Sequence, residues 1–234
     1  FHWDAYEKSS QRCYSLALDL LNDIYLGRYE PELFLPSPSK IGEEKQVSVT
    51  TVRRTLTLLG HLGATRSING VGTQALSPAD SSQNCDLSQP VIQKRLLDFA
   101  QSLQILALTC GASLEITLDA MDAMAIQWWR NRLLALKENG RYESVVFDSL
   151  EVIPHFSPIR AVREIYRQLL RILIWGYPLR SLHGSREQIN AFYLPYINSL
   201  LEGLRQGDKK RLAAALEQML LCEFRFAAIR LEEL

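Results

Sequence analysis

Apolar residues recur along most of the chain at intervals of three and four, the spacing that lines one face of an α-helix. Leu16, Leu20 and Ile24 form the first such run, and Gly27 follows at a position suited to end it. A stretch of extended chain closes on Leu35 and Pro36. Ser37 then caps a short second helix over 38–45, with Pro38 at its first position. Ser48 caps a third helix on which Val52, Leu56 and Leu59 make an apolar stripe, leaving Thr50, Thr51, Arg53, Arg54 and Thr57 to face outward. That helix ends near residues 61–63. Beyond it the pattern changes: Thr65–Ile68 and Thr73–Leu76 flank Asn69-Gly70, a tight-turn dipeptide, and predict a small hairpin. Three helices and a hairpin outline a winged helix-turn-helix over residues 1–76.

Residues 77–89, SPADSSQNCDLSQ, are rich in Ser, Asp and Asn and read as a linker. From there to the end, residues 90–234, every periodic run is helical. Ile92, Leu96, Phe99, Leu103 and Leu106 advance by four and three, as do Leu114, Leu118, Met121, Ala125 and Trp128. Ile159, Val162, Tyr166, Leu169 and Leu173 follow the same rule, and Leu212, Leu216, Met219 and Leu220 begin a last helix after Gly207-Asp208. Pro154, Pro158, Pro178 and Pro195 punctuate the runs, and Pro195 is expected to kink or split a helix because it lacks an amide donor. The fold class predicted is therefore mainly α: an N-terminal winged helix-turn-helix followed by an all-α antiparallel bundle of six or seven helices.

Composition narrows the function. The chain of 234 residues is 47% hydrophobic and 22% charged, enough to bury a core. The uncharged stretches around Leu103–Leu114 and Ile172–Leu179 are too short to cross a bilayer, and no charged-then-apolar leader opens these residues. The expectation is a cytoplasmic chain without membrane attachment. It begins with Phe1 and not Met, as a processed product or a piece of a longer protein would. Cysteines at 13, 85, 110 and 222 have no CxxC spacing and suit a reducing compartment as packing residues. Net charge is zero, and residues 1–80 carry eight Lys and Arg against nine Asp and Glu, a net of −1. Any binding to DNA must then rest on where the charges sit, and its sequence-independent part should be weak, because that part scales with the phosphates neutralised.

Leu35, Pro36, Ser37, Ile41, Val47, Ser48, Thr51, Val52, Arg53, Leu56, Leu59, Gly63, Gly70, Gly72 and Thr73 follow one another without a gap in a pattern that resembles the winged-helix domain of the GntR family of transcription regulators. The resemblance implies that Arg53 is the helix-three arginine that contacts DNA and that Gly70, Gly72 and Thr73 belong to the wing. Ser37, Lys40, Ser48, Thr50, Thr51, Arg54, Arg66 and Asn69 complete the candidate DNA-binding set. Two places where the family has arginine hold Ser39 and Val49. Val49 either touches a thymine methyl or extends the apolar stripe inward, and Lys40, Arg54 and Arg66 are the replacement cations.

The helical part is similar to the C-terminal domain of the FadR branch of that family, through Arg95 and the segment LLEGLRQGDKKRLAAALEQM. The resemblance implies a homodimer on a palindromic operator in double-stranded DNA, and a small-molecule effector in the helical domain. Many domains of that branch hold a metal through one aspartate and three histidines. Here the histidines are His2, His61, His155 and His183, and the family's late histidine places are Ile197 and Met219, so no metal or other cofactor is expected. Trp128, Tyr166, Arg95 and Arg171 are the effector candidates: aromatic rings to line a cavity, and a guanidinium to match a carboxylate. The competing assignments are core aromatics and a solvated basic face with Arg160, Arg163 and Arg167. No phosphate loop, GxSxG elbow or HExxH pair supports an enzyme. The alternative to a regulator is a degenerate winged helix that binds protein within a longer chain.

Overall fold

The computed structural model describes residues 9–25, 28–29, 33–76, 90–140, 142–176 and 186–232. Gly27, the expected linker 77–89, Pro178, His2, His183 and Cys85 lie outside them. The chain forms two compact units, one made of residues 1–95 with 174–182 and the other of residues 96–173 with 183–234.

In the first unit, α1 (Ser9–Tyr25) lies against α3 (Val49–His61), with α2 (Pro38–Lys45) between them in sequence. Leu16, Leu20, Leu21 and Ile24 on α1 and Val52, Leu56 and Leu59 on α3 are buried, so the stripe read from spacing is the core. Thr55, also buried, sits between the helices: its hydroxyl lies 2.9 Å from the Thr51 carbonyl and 3.2 Å from that of Cys13. Ser37 caps α2 by accepting from the Lys40 amide at 3.3 Å, and Ser48 caps α3 by accepting from the Thr51 amide at 3.1 Å. Each satisfies an amide that the first helical turn leaves without a partner.

Between the two helices the chain turns within three residues. Gln46 takes a left-handed conformation (φ 54°, ψ 44°), and Val47 donates back to the Gly42 carbonyl at 2.9 Å. Gly42 is where the turn comes closest. A Cβ there would stand 2.9 Å from the Val47 carbonyl oxygen, a contact with backbone that cannot move aside without moving α3.

Beyond α3 the chain turns at Gly63 (φ 69°), with Ala64 donating to Leu59 at 2.9 Å, and enters a hairpin of β1 (Thr65–Ile68) and β2 (Gly72–Ala75). The register pairs Thr65 with Ala75 and Ile68 with Gly72. The second strand thus begins one residue earlier than expected. Asn69, Gly70 and Val71 form a three-residue loop in which Gly70 is the residue with positive φ (74°) and Val71 donates to Ile68 at 3.1 Å. The sequence pattern also understated the sheet. Phe34 bridges Gln74, with Leu35 donating to Thr73 at 2.8 Å and Ala75 to Leu33 at 3.0 Å, so the segment before α2 runs beside the hairpin.

The second unit holds most of α4 (Pro90–Ala120), then α5 (Ala123–Asn139), a 3-10 turn (Tyr142–Ser144), α6 (Val145–Leu150), α7 (Val152–Phe156), α8 (Arg160–Leu173), α9 (Arg186–Gln206) and α10 (Lys209–Glu232). The run from Leu114 to Trp128 is two helices and not one: Asp122 accepts from the Ala125 amide at 2.8 Å and starts α5 afresh. Pro195 does not split its helix, and α9 continues through it. Within α4, residues Gln93–Ala120 are long and apolar enough to cross a membrane by length and composition, although Lys94, Arg95, Asp98, Glu115 and Asp119 interrupt them with charge. One face of it, Leu96, Phe99, Leu103, Leu106, Cys110, Leu114 and Leu118, is buried.

α9 and α10 pair antiparallel through a turn at Gly207 (φ 68°), where Asp208 caps α10 by accepting from the Arg211 amide at 3.0 Å. Gly203 admits Leu212 at this crossing, since a Cβ would stand 2.8 Å from its Cγ. Farther along, Tyr193 donates to the buried carboxylate of Glu223. Arg132 on α5 ion-pairs with Asp148 on α6 and with Glu151 at 2.7 Å, and Ser144 donates to Asp148 at 2.8 Å.

Two outcomes are expected from this packing. Gly42→Ala should destabilise the first unit by about 1–3 kcal/mol, the range for forcing a methyl into packed structure, measured as a lower urea midpoint with unchanged slope. Burial pushes the Cys110 thiol up to about 12. The reactive thiolate is then roughly one part in ten thousand at pH 8, so a thiol reagent should leave Cys110 unmodified in the native protein and label it in urea, as mapped by mass spectrometry.

Candidate nucleic-acid interface

The close turn at Gly42 sets the direction of α3, and the buried stripe Val52, Leu56 and Leu59 sets its rotation. What remains outward is Thr50, Arg53, Arg54 and Thr57, all exposed, at spacings of three, one and three that keep them on one side of the helix. Thr57 returns its hydroxyl to the Arg53 carbonyl at 3.0 Å and is occupied. The Ser48 and Thr51 hydroxyls lie 2.8 Å apart and also serve the cap, so both are engaged locally. Thr50, Arg53 and Arg54 are the side chains at this end of α3 with no partner among the described residues. The N-terminus of the helix adds the positive end of its dipole, which favours phosphate.

Charge is sorted by pairing. Asp23, buried on α1, accepts from Arg28 at 2.8 Å and from Lys45 at 3.1 Å, and so removes two of the unit's cations from the surface inventory. Lys40 on α2, Arg53 and Arg54 on α3 and Arg66 on β1 are exposed and have no ion pair among the described residues. Glu43 and Glu44 are exposed at the far end of α2 and lower the potential there. The net charge of the segment conceals this separation.

Of the two replaced arginine places, Ser39 is exposed and Val49 is half-buried at the first position of α3. At the wing, Asn69 and Gly70 are exposed and Thr73 is half-buried on the strand that pairs with Ser67. Gly72 is packed under Phe34, whose Cδ1 would lie 3.2 Å from a Cβ at that position. Gly72 therefore has a steric reason to be glycine, in addition to its place in the wing. Val71, 66% exposed at the tip, was not among the residues singled out from sequence; an apolar side chain left in solvent beside a turn glycine was the available signal.

The effector candidates are placed differently. Arg95 belongs to the first unit, where its guanidinium lies 4.2 Å from the centre of the Tyr14 ring and 5.9 Å from that of Trp175. Trp128, Tyr166 and Arg171 belong to the second. Trp128 is half-buried among His155, Phe156 and Arg132; Tyr166 is buried with its hydroxyl 3.0 Å from that of Thr109; and Arg171 is exposed. Burial raises the Tyr166 phenol above its ordinary value. Of the basic face on α8, Arg163 donates to the Ser157 carbonyl at 2.6 Å and Arg167 to that of Pro154 at 3.3 Å, so both cap the end of α7. Among the described residues, no three His, Cys, Asp or Glu side chains gather as a metal site.

Residues 15–74 match the family model described as bacterial regulatory proteins, gntR family. This segment is a GntR-type helix-turn-helix domain. It runs from α1 to the second strand of the wing and contains every candidate DNA contact. Solved structures that align with the chain include the Streptococcus agalactiae GntR, 15% identical with a TM-score of 0.39, covering 91% of this chain and 99% of that one. Another is E. coli McbR/YncC, 16% identical with a TM-score of 0.44, covering 96% and 99%. No curated protein matches the sequence.

Within the GntR-type domain, Arg53 is the side chain with the most direct test. Arg53→Ala should leave folding within about 0.5 kcal/mol, because it is exposed and unpaired. If Arg53 reads a base, affinity for the operator should fall by about 1–3 kcal/mol with relaxed preference at one position; if it holds a phosphate, affinity should fall on all duplexes and the salt slope should shrink by about one. Titration of wild type and variant at two salt concentrations separates the two.

Proposed function

We propose that this chain is a cytoplasmic transcription regulator, a repressor, that binds a palindromic operator in double-stranded DNA as a homodimer. A small organic-acid-like effector held in its FadR-like helical domain controls that binding. The observation that carries the reading is the outward face of α3, where Thr50, Arg53 and Arg54 have no partner among the described residues at a capped helix N-terminus, flanked in the same unit by Lys40, Arg66 and the wing. A helix presented in this way places side chains against base edges while neighbouring cations hold phosphates.

Dimerisation through the helical domain is supported by α4. Leu97, Leu108, Ala112 and Ile116 are exposed and fall within about 100° of arc on a helix of 3.6 residues per turn, sharing it with the exposed Gln101, Glu115 and Asp119, a mixed apolar and polar face suited to a second copy. Effector binding is supported by buried polar atoms in the same unit. Trp129 Nε1, Ser149 Oγ and Asn190 Oδ1, on α5, α6 and α9, make no hydrogen bond among the described residues, whereas buried polar groups are nearly always paired. A bound molecule with a carboxylate and a hydroxyl would supply partners.

The test is selection of duplexes from a random pool, with the mass of the free protein measured by sedimentation. Enrichment of a two-fold symmetric site, bound by a dimer with affinity that falls steeply with salt, is the expected result. A monomer that enriches no sequence would leave the protein-interaction module as the account of this winged helix.

A further inference from the structure

One face of the second unit is a groove lined by charge. α5, α9 and α10 line an open groove of about 540 Å³, within the size range of small-ligand sites. Four cations and one carboxylate line it. The carboxylate, Glu202, is taken up by Arg205, which donates from Nε at 2.8 Å and from a terminal nitrogen at 2.5 Å, and this fork holds the Glu202 carboxyl below its ordinary value. That pair is self-neutralising. Arg211 also lies close enough for its charge to act on the Glu202 carboxylate, but its hydrogen bond goes to Ser199 Oγ at 3.4 Å; Lys137 donates to Asn198 Oδ1 at 3.0 Å, and Arg130 has no partner among the described residues.

Four cations face one carboxylate in this concavity, so an excess of three positive charges repels itself there, and the wall between them concentrates their field. Arg130 and Lys137 lie two turns apart on α5, on the order of 10 Å along its axis, and Arg211 approaches from α10. A dianion resting on Asn198 and Ser199 relieves the repulsion. Leu134, Pro195 and Leu201 supply apolar wall beside the charges, which suits an organic body attached to the anion.

We propose that this groove binds a small organic phosphate, with Arg211, Arg130 and Lys137 holding the phosphoryl group and the apolar wall holding its substituent. Guanidinium groups match phosphate oxygens in pairs, and a phosphate monoester carries close to two negative charges at neutral pH, more than one carboxylate supplies. The site is independent of the DNA-binding reading and of the buried polar atoms of the core, and its occupancy is measured without DNA.

The experiment is titration calorimetry of the whole chain with phenyl phosphate and, separately, with inorganic phosphate. One saturable site per chain for phenyl phosphate is expected, with a dissociation constant below about 1 mM and inorganic phosphate binding more weakly. The double variant Arg130→Gln/Arg211→Gln should weaken phenyl phosphate at least about tenfold, since it removes two charged hydrogen-bonding partners. Arg225→Gln, exposed on α10 outside the groove, should leave binding unchanged. All three substituted positions are exposed, and circular dichroism confirms that each variant keeps its helix content. Absence of saturable binding, equal affinity for the two probes, or equal loss in the Arg225 variant overturns the proposal.

Discussion

The first unit depends on one contact between backbone and backbone: the approach of Gly42 to the carbonyl of Val47. It allows α2 to end and α3 to begin within three residues, with Gln46 accepting a left-handed conformation that side chains disfavour. The angle of α3 follows from that turn, and its rotation follows from the stripe it buries against α1. Everything outward on α3 is then fixed without any group devoted to aiming it. The geometry of the reading face is a by-product of packing on the opposite face.

Much of this was legible because the signals are local. The Ser37 and Ser48 caps, Pro38 after the first of them, and the Val52, Leu56 and Leu59 stripe all act within one or two turns, so sequence order and spatial order coincide. Gly42 was legible in principle, since glycine inside a short helix asks for a reason. Its reason is a contact five residues ahead, and no helical period encodes that. The wing was placed correctly and registered one residue out, because Gly72 was left in the connection whereas it pairs with Ile68 and leaves a three-residue loop with Gly70 at its positive-φ position. Phe34 could not have been joined to Gln74 from spacing at all: forty residues separate them, and their bridge exists only once α2 and α3 have folded back.

The helical half was harder to read for a different reason. Periodicity reports which face is buried but not where one helix stops, so the break at Asp122 was passed over inside a run whose apolar spacing continues across it. Nor does periodicity report what a cation is for. Arg163 and Arg167 looked like members of a basic face and turn out to cap α7, while Arg95 is packed between aromatic rings of the first unit. Charge assignment needs partners, and partners are tertiary. The same holds for Asp23, whose two ion pairs subtract Arg28 and Lys45 from the cations available to a ligand.

Within the 13 residues of α3, the side chains that hold the helix and those that face outward are separate sets. Val52, Thr55, Leu56 and Leu59 are engaged with α1 or buried, Ser48 and Thr51 are committed to the cap, and Thr50, Arg53 and Arg54 take part in neither. Substitutions at these last three positions meet almost no resistance from folding. The preferred ligand sequence of such a helix can therefore drift through single changes, each nearly neutral for stability, and duplicated copies of this architecture could diverge in what they recognise while keeping one and the same fold.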